Sequence, residues 1–231
     1  MIPMSFGALH LDNETLYAAG LDIPVRENRS GQPRIGRAEE SEGEPAERQR
    51  RLSLLVGAGQ VERRDMEIGL IDVDSHNYPN LALMKISAWH KERGDHVEWW
   101  NGLKHYDRVY QAKVFDESYT KDNEFVIQAD EIIKGGTGYD LDNKLPNEIE
   151  HIMPDYLLYG ISDTAYGFLT RGCPRHCKFC IVGDKEGLVS HKVADLSEFW
   201  NGQKNIEILD PNLLACKDRS ELLEQLIESG G

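Results

Sequence analysis

From Met66 onward the chain alternates apolar runs too short to be helices with stretches whose apolar residues recur at helical spacing. Ile68–Val73 is a strand-length run; Leu81, Met84, Ala88 and Trp89 then share one helical face, which predicts a helix over Leu81–Lys91. Gly94 ends it, and His96–Trp100 is a second strand. Such alternation predicts an α/β fold with a parallel sheet covered on both faces. Weaker apolar runs follow at Asp107–Phe115 and Glu124–Gln128, and Ile132–Ile133 leads into the turn Gly135-Gly136-Thr137-Gly138, where backbone can approach closely.

Residues 1–65 are different in kind. Between Arg26 and Arg51 the chain is dense in Arg, Glu, Gly and Pro and almost empty of large apolar side chains, so it cannot bury enough surface to order itself. The expectation is a largely disordered leader, or an upstream extension of the reading frame, with the fold beginning at Met66. Gly57-Ala58-Gly59 has neither the preceding strand nor the following signature of a nucleotide loop.

After Tyr156 the pattern restarts. Tyr166–Thr170 and Ile206–Asp210 are predicted strands; Asp195–Asn201, capped by Asp195, and Asp218–Ser229 are predicted helices. Directly after the first of these strands stands Cys173-Pro174-Arg175-His176-Cys177-Lys178-Phe179-Cys180. Thiolates are soft ligands that select iron–sulfur clusters, zinc or cuprous copper. A cubane cluster normally takes four cysteines, so three at these spacings leave one iron open for another ligand. The alternative is a structural zinc site completed by Cys216, His176 or His191, although such sites are usually built from two paired ligand hairpins. A disulfide framework does not suit so long and cysteine-poor a chain, which has 4 Cys in 231 residues.

At Cys173, Cys177 and Cys180, with Phe179 just before the third cysteine, the sequence resembles the radical S-adenosylmethionine (radical SAM) superfamily. Thr170-Arg171-Gly172-Cys173-Pro174 is similar to the motif entry in members carrying an N-terminal cobalamin-binding-like domain. The resemblance implies a flavodoxin-like parallel-sheet domain over residues 66–154, followed over 155–231 by the first part of a partial (β/α) barrel. It implies a 4Fe-4S cluster on the three cysteines whose open iron chelates SAM. Reduction then cleaves SAM to a 5′-deoxyadenosyl radical that abstracts hydrogen from a substrate the sequence does not name, with an electron donor such as a flavodoxin or ferredoxin. Phe179 would lie near adenine, and Asp210 and Asn212, at the tip of the second strand, near the amino end of SAM. The structural alternatives are an apolar anchor beneath the loop for Phe179 and an Asx-Pro turn for Asp210-Pro211. No residue is assigned a catalytic role.

Asp74-Ser75-His76-Asn77-Tyr78-Pro79 is similar to the Asp-x-His-x-x-Gly sequence by which cobalamin-binding domains ligate cobalt, with Asp74 orienting His76. Pro79 replaces the glycine and supplies neither a flexible turn nor a backbone donor, which argues against cobalamin. Two rival readings differ in class. One is a non-catalytic iron–sulfur or zinc interaction module; the other is a cobalamin-dependent radical methyltransferase.

A formal charge of -14 argues against non-specific binding to nucleic acid or to a membrane surface. Met1–Phe6 lacks the charged start and apolar core of a signal peptide, and no stretch has transmembrane length, so a reducing cytoplasm is the expected compartment. A βα unit with its return strand takes about thirty residues, so residues 156–231 hold about two such units, and the chain is expected to be truncated relative to a six-unit barrel. Deletion of residues 1–65 is expected to leave the melting temperature and iron uptake of the remainder nearly unchanged. A large drop in melting temperature would show that the leader packs on the fold.

Overall fold

The computed structural model describes residues 64–75, 78–122 and 124–230. The expectations for the leader, for Gly57–Gly59 and for His76 lie outside the described residues. Residues 65–230 belong to one compact unit.

Strand β1 (Glu67–Asp72) is central to a four-stranded parallel sheet. It lies between β2 (His96–Trp99) and β3 (Tyr106–Ala112), and β4 (Ala129–Gly135) pairs with the outer side of β3, giving the order β2-β1-β3-β4. Helix α1 (Leu81–Glu92) makes the crossover from β1 to β2. Asn80 caps it, its side-chain oxygen accepting from Leu83 N at 3.2 Å. At the other end Gly94 adopts φ 85°, so that Gly94 N reaches Lys91 O and Asp95 N reaches His90 O. This paired closure depends on a left-handed residue and satisfies two carbonyls the helix would otherwise leave open.

The helix is buried on more than one side. Ala82, Leu83 and Ile86 pack on Ile68, Leu70, Tyr110 and Ala112 of the sheet, together with Leu145 and Ile149, the latter from the short helix α2 (Asn147–Glu150). Met84, fully buried, enters a second core with Tyr156, Ala165, Leu169, Leu196, Phe199 and Leu222. The polar groups on α1 find partners across these contacts. Lys85 donates to the carbonyl and carboxylate of Glu150, while Ser87 and Lys91 both donate to Asp155. His90, fully buried at the end of the helix, lies between Asp95 (2.6 Å) and Tyr110 (3.0 Å).

The opposite face of the sheet differs from expectation. Ile71, Tyr106 and Val109 are covered there by Val73, Trp100, Ile127 and Ala129, none of which is helical. Among the described residues, the links 100–105 and 113–128 cross without a helix. Link 100–105 is too short for one, and Trp100 stacks on Phe125 (centroids 5.8 Å apart) as lining in its place.

The second core joins a smaller parallel pair, β5 (Thr164–Gly167) and β8 (Asn205–Ile208). Tyr156 bridges to β5: its hydroxyl accepts from Tyr166 N and donates to the Phe199 carbonyl. Between β5 and β8 lie β6 (Thr170–Arg171), the cysteine loop, the short helix α3 (Val182–Glu186) and β7 (His191–Lys192), which pairs antiparallel with β6. The helix expected over Asp195–Asn201 is a single 3-10 turn, Leu196–Glu198. Asp195 and Glu198 form the capping box, but Phe199 leaves helical geometry at φ -138° to put its ring into the core against Gly167. Helix α4 (Arg219–Glu228) follows β8 and buries Leu222. No helix among the described residues is long and apolar enough to cross a membrane.

Because Met84 carries the contact of α1 with the second core, Met84→Ala is expected to cost about 2–5 kcal/mol. Urea unfolding should show this loss in one transition, read alike by tryptophan fluorescence and by circular dichroism. Two separated transitions would mean that the sheet and the β5–β8 pair unfold independently.

Candidate metal centre

The cysteine loop begins where β5 and β6 end, and its base is closed by charge. Arg171 donates from one guanidinium nitrogen to Glu186 (2.8 Å) and from the other to Glu150 (3.3 Å), and it lies 4.3 Å from the Phe168 ring centre. Glu186 also accepts from Gly172 N, and Cys173 N donates to Gly187 O. Residues 171–173 and 186–187, the two ends of the loop, are thereby tied together. Gly172 is required at the join: its φ is 84°, and an added Cβ would stand 2.2 Å from the carbonyl oxygen of Val189.

The tip is open. Cys173 is half-buried, whereas Cys177 and Cys180 are exposed. A turn brings Cys180 N to Cys177 O at 2.9 Å, and His176 takes a left-handed φ of 44° beside it. Phe179 is 91% exposed, so it is not an apolar anchor packed under the loop. Among the described residues, the compact group of potential ligand atoms does not include these sulfurs. Cys216, the fourth cysteine, is fully buried, with its sulfur 4.0 Å from Asp218.

Asp210, just beyond β8, reaches back to the start of the loop. One carboxylate oxygen accepts from Leu169 N (2.8 Å), and the other accepts from Thr170 N (2.7 Å) and Thr170 Oγ1 (2.6 Å). Burial pushes its carboxyl above the ordinary value, against the lowering effect of these bonds. Asn212 reaches the first thiol, its Nδ2 lying 3.6 Å from Cys173 Sγ, while its backbone carbonyl accepts from Ser190 Oγ. The Asp210–Asn212 turn and the first cysteine are thus brought together, with Phe179 at the exposed tip.

Of the segment similar to a cobalt-binding motif, Asp74 and Tyr78 are engaged within the fold. Asp74 is buried, its oxygens accepting from Val114 N (2.7 Å) and Phe115 N (2.9 Å). Tyr78 donates to Glu207 on β8 (2.8 Å) and meets the Tyr166 ring edge-on. A separate group at the far end of the sheet, Glu67, His96 and Glu98, is compact enough to suit a cation. There Lys104 already donates to both glutamates at 2.7 Å, so an ammonium group offsets one of their two charges and occupies the place of a cation.

Arg171 and Glu186 were not distinguishable in the sequence as a clamp; their spacing around the cysteines was the available signal. No protein-family model matches the chain, and neither does any curated protein or solved structure.

Asp210→Asn leaves one acceptor facing three donors. Bonds to a charged group are worth about 1.5–3 kcal/mol, so amide hydrogen exchange at Leu169 and Thr170 is expected to rise by about tenfold or more. Unchanged exchange would show that Asp210 does not hold the start of the loop.

Proposed function

We propose that this chain is a radical SAM protein in which Cys173, Cys177 and Cys180 hold a 4Fe-4S cluster. The observation carrying the proposal is the cysteine loop itself: it lies just beyond the carboxyl end of β5, whose neighbour β8 is parallel, its base is fixed by Arg171 and Glu186, and it presents three thiols at its open side. Functional residues gather at this end of the strands in barrel folds. The donor set fits the cluster, since each thiolate would serve a separate iron and leave a fourth for SAM. When bound, the cluster and SAM would supply one-electron cleavage of the sulfonium and abstraction of hydrogen from substrate.

The chain's own residues would do the positioning. Arg171 and Glu186 fix the distance between the loop's ends, Asp210 holds its start through Leu169 and Thr170, and Asn212 offers an amide donor to the first sulfur. A donor to a thiolate stabilises its charged form. Phe179, exposed at the tip, is free to cover a bound adenine. The order β2-β1-β3-β4, all parallel, supports a flavodoxin-like domain, and the β5–β8 pair followed by α4 supports the opening of a partial barrel. Cobalamin forms no part of the proposal, because Asp74 is committed to Val114 and Phe115 and Pro79 stands in the glycine position.

Anaerobic reconstitution is expected to give about four irons and four sulfides per chain. Cys177→Ala should abolish this and Cys216→Ala should not, and SAM should alter the electron paramagnetic resonance spectrum of the reduced cluster. Stoichiometric zinc without iron would establish the structural-site reading, and a cluster indifferent to SAM would establish an interaction module.

A further inference from the structure

A cleft of about 380 Å³ opens between residues 144–151 and the base of the cysteine loop, and its polar lining includes Lys144, Glu150, Arg171, Lys185 and Glu186. This volume is within the range of sites that take small molecules, and Leu145 and Val193 supply apolar wall. The charges in the cleft are unevenly matched. Glu150 is compensated by Lys85 and Arg171, and Glu186 by Arg171 and the Gly172 amide. Both acids are therefore accounted for by groups other than Lys144 and Lys185.

Lys185, on α3, is 7% exposed, yet its ammonium donates to the Leu141 carbonyl at 3.3 Å and has no carboxylate within ion-pair distance among the described residues. Burying an ammonium group without a counter-charge is unfavourable. In keeping with this, burial, with the repulsion of Arg171 and Lys144, holds its pKa below the ordinary lysine value, against the longer-range attraction of Glu186 and Asp140. Lys144 stands exposed on the same cleft, likewise without an ion pair among the described residues. His191, at the rim, has Nδ1 3.1 Å from the carbonyl of Val189, two residues earlier in the chain.

The unmatched charge is thus carried by two ammonium groups. A carboxylate ligand would be best met by a planar guanidinium fork, but the fork of Arg171 is already taken by Glu186 and Glu150. Ammonium groups act as point charges that suit the compact, multiply charged phosphate. We infer that this cleft binds a small phosphate-bearing molecule, with the phosphate held between Lys185 and Lys144. The inference does not depend on the nature of the metal at the cysteines.

The test is thermal unfolding of the full chain with inorganic phosphate, with succinate, and with sodium chloride at matched ionic strength. If phosphate binds with a dissociation constant of about 1 mM, about 10 mM phosphate should raise the melting temperature by roughly 3 °C. Chloride and succinate should give less than half of that shift. Lys185→Met should abolish the phosphate shift without lowering the melting temperature of the unliganded protein, since the mutation removes a buried charge. Lys144→Ala, at an exposed position, should weaken phosphate binding about tenfold by isothermal titration calorimetry, and it keeps the inference testable if Lys185→Met does not fold. An equal shift with chloride, a larger shift with succinate, or a full phosphate shift retained in Lys185→Met or Lys144→Ala would overturn the inference.

Discussion

Helix α1 is the member on which the rest of the structure depends, because it must bury two sides at once. A helix with one apolar stripe could cover the sheet alone and leave the second core open to water. Here Leu83 and Ile86 serve the sheet while Met84 serves the β5–β8 pair. The cost of burying its polar positions is offset locally: Lys85 reaches Glu150, Ser87 reaches Asp155, and His90 lies between Asp95 and Tyr110. Glu150 in turn receives Arg171, so the chain of contacts runs from the middle of the sheet to the base of the cysteine loop.

Much of the first half was legible in the sequence because strand and helix periods leave different marks. The runs at Ile68–Val73 and His96–Trp100 became β1 and β2, and the spacing of Leu81, Met84 and Ala88 became α1 with an error of one residue at its end. What could not be foreseen was the face of the sheet without helices. The alternation of apolar runs does not reveal how a link crosses, and the stacking of Trp100 on Phe125 is set by tertiary placement. The same holds for Asp195–Asn201, where apolar spacing suggested about two turns of helix. Packing of Phe199 against the bare backbone of Gly167 closed the helix after one.

At the candidate metal centre the proposed ligands were visible in the sequence and their supports were not. Three cysteines announce themselves by chemistry and spacing, whereas Arg171, Glu186 and Asp210 are ordinary charged residues until the fold brings them to the loop. Asp210 illustrates the difference. At the tip of a strand its carboxylate would suit an incoming ammonium group, but in the fold both oxygens meet the Leu169–Thr170 backbone. Lys185 is similar: nothing in its sequence position marks it as a buried cation.

The clamp at the base of the cysteine loop has a consequence for biogenesis. In small domains held together by metal, ligation and folding are one event, and removal of the ion unfolds the chain. Here the loop's ends are joined by Arg171, Glu186 and the Gly187 carbonyl, none of which is a thiol, and two of the three cysteines stand outside the core. On the proposed reading, the polypeptide would reach its shape first and receive its cluster afterwards, from a delivery system that needs access only to the exterior of a finished scaffold.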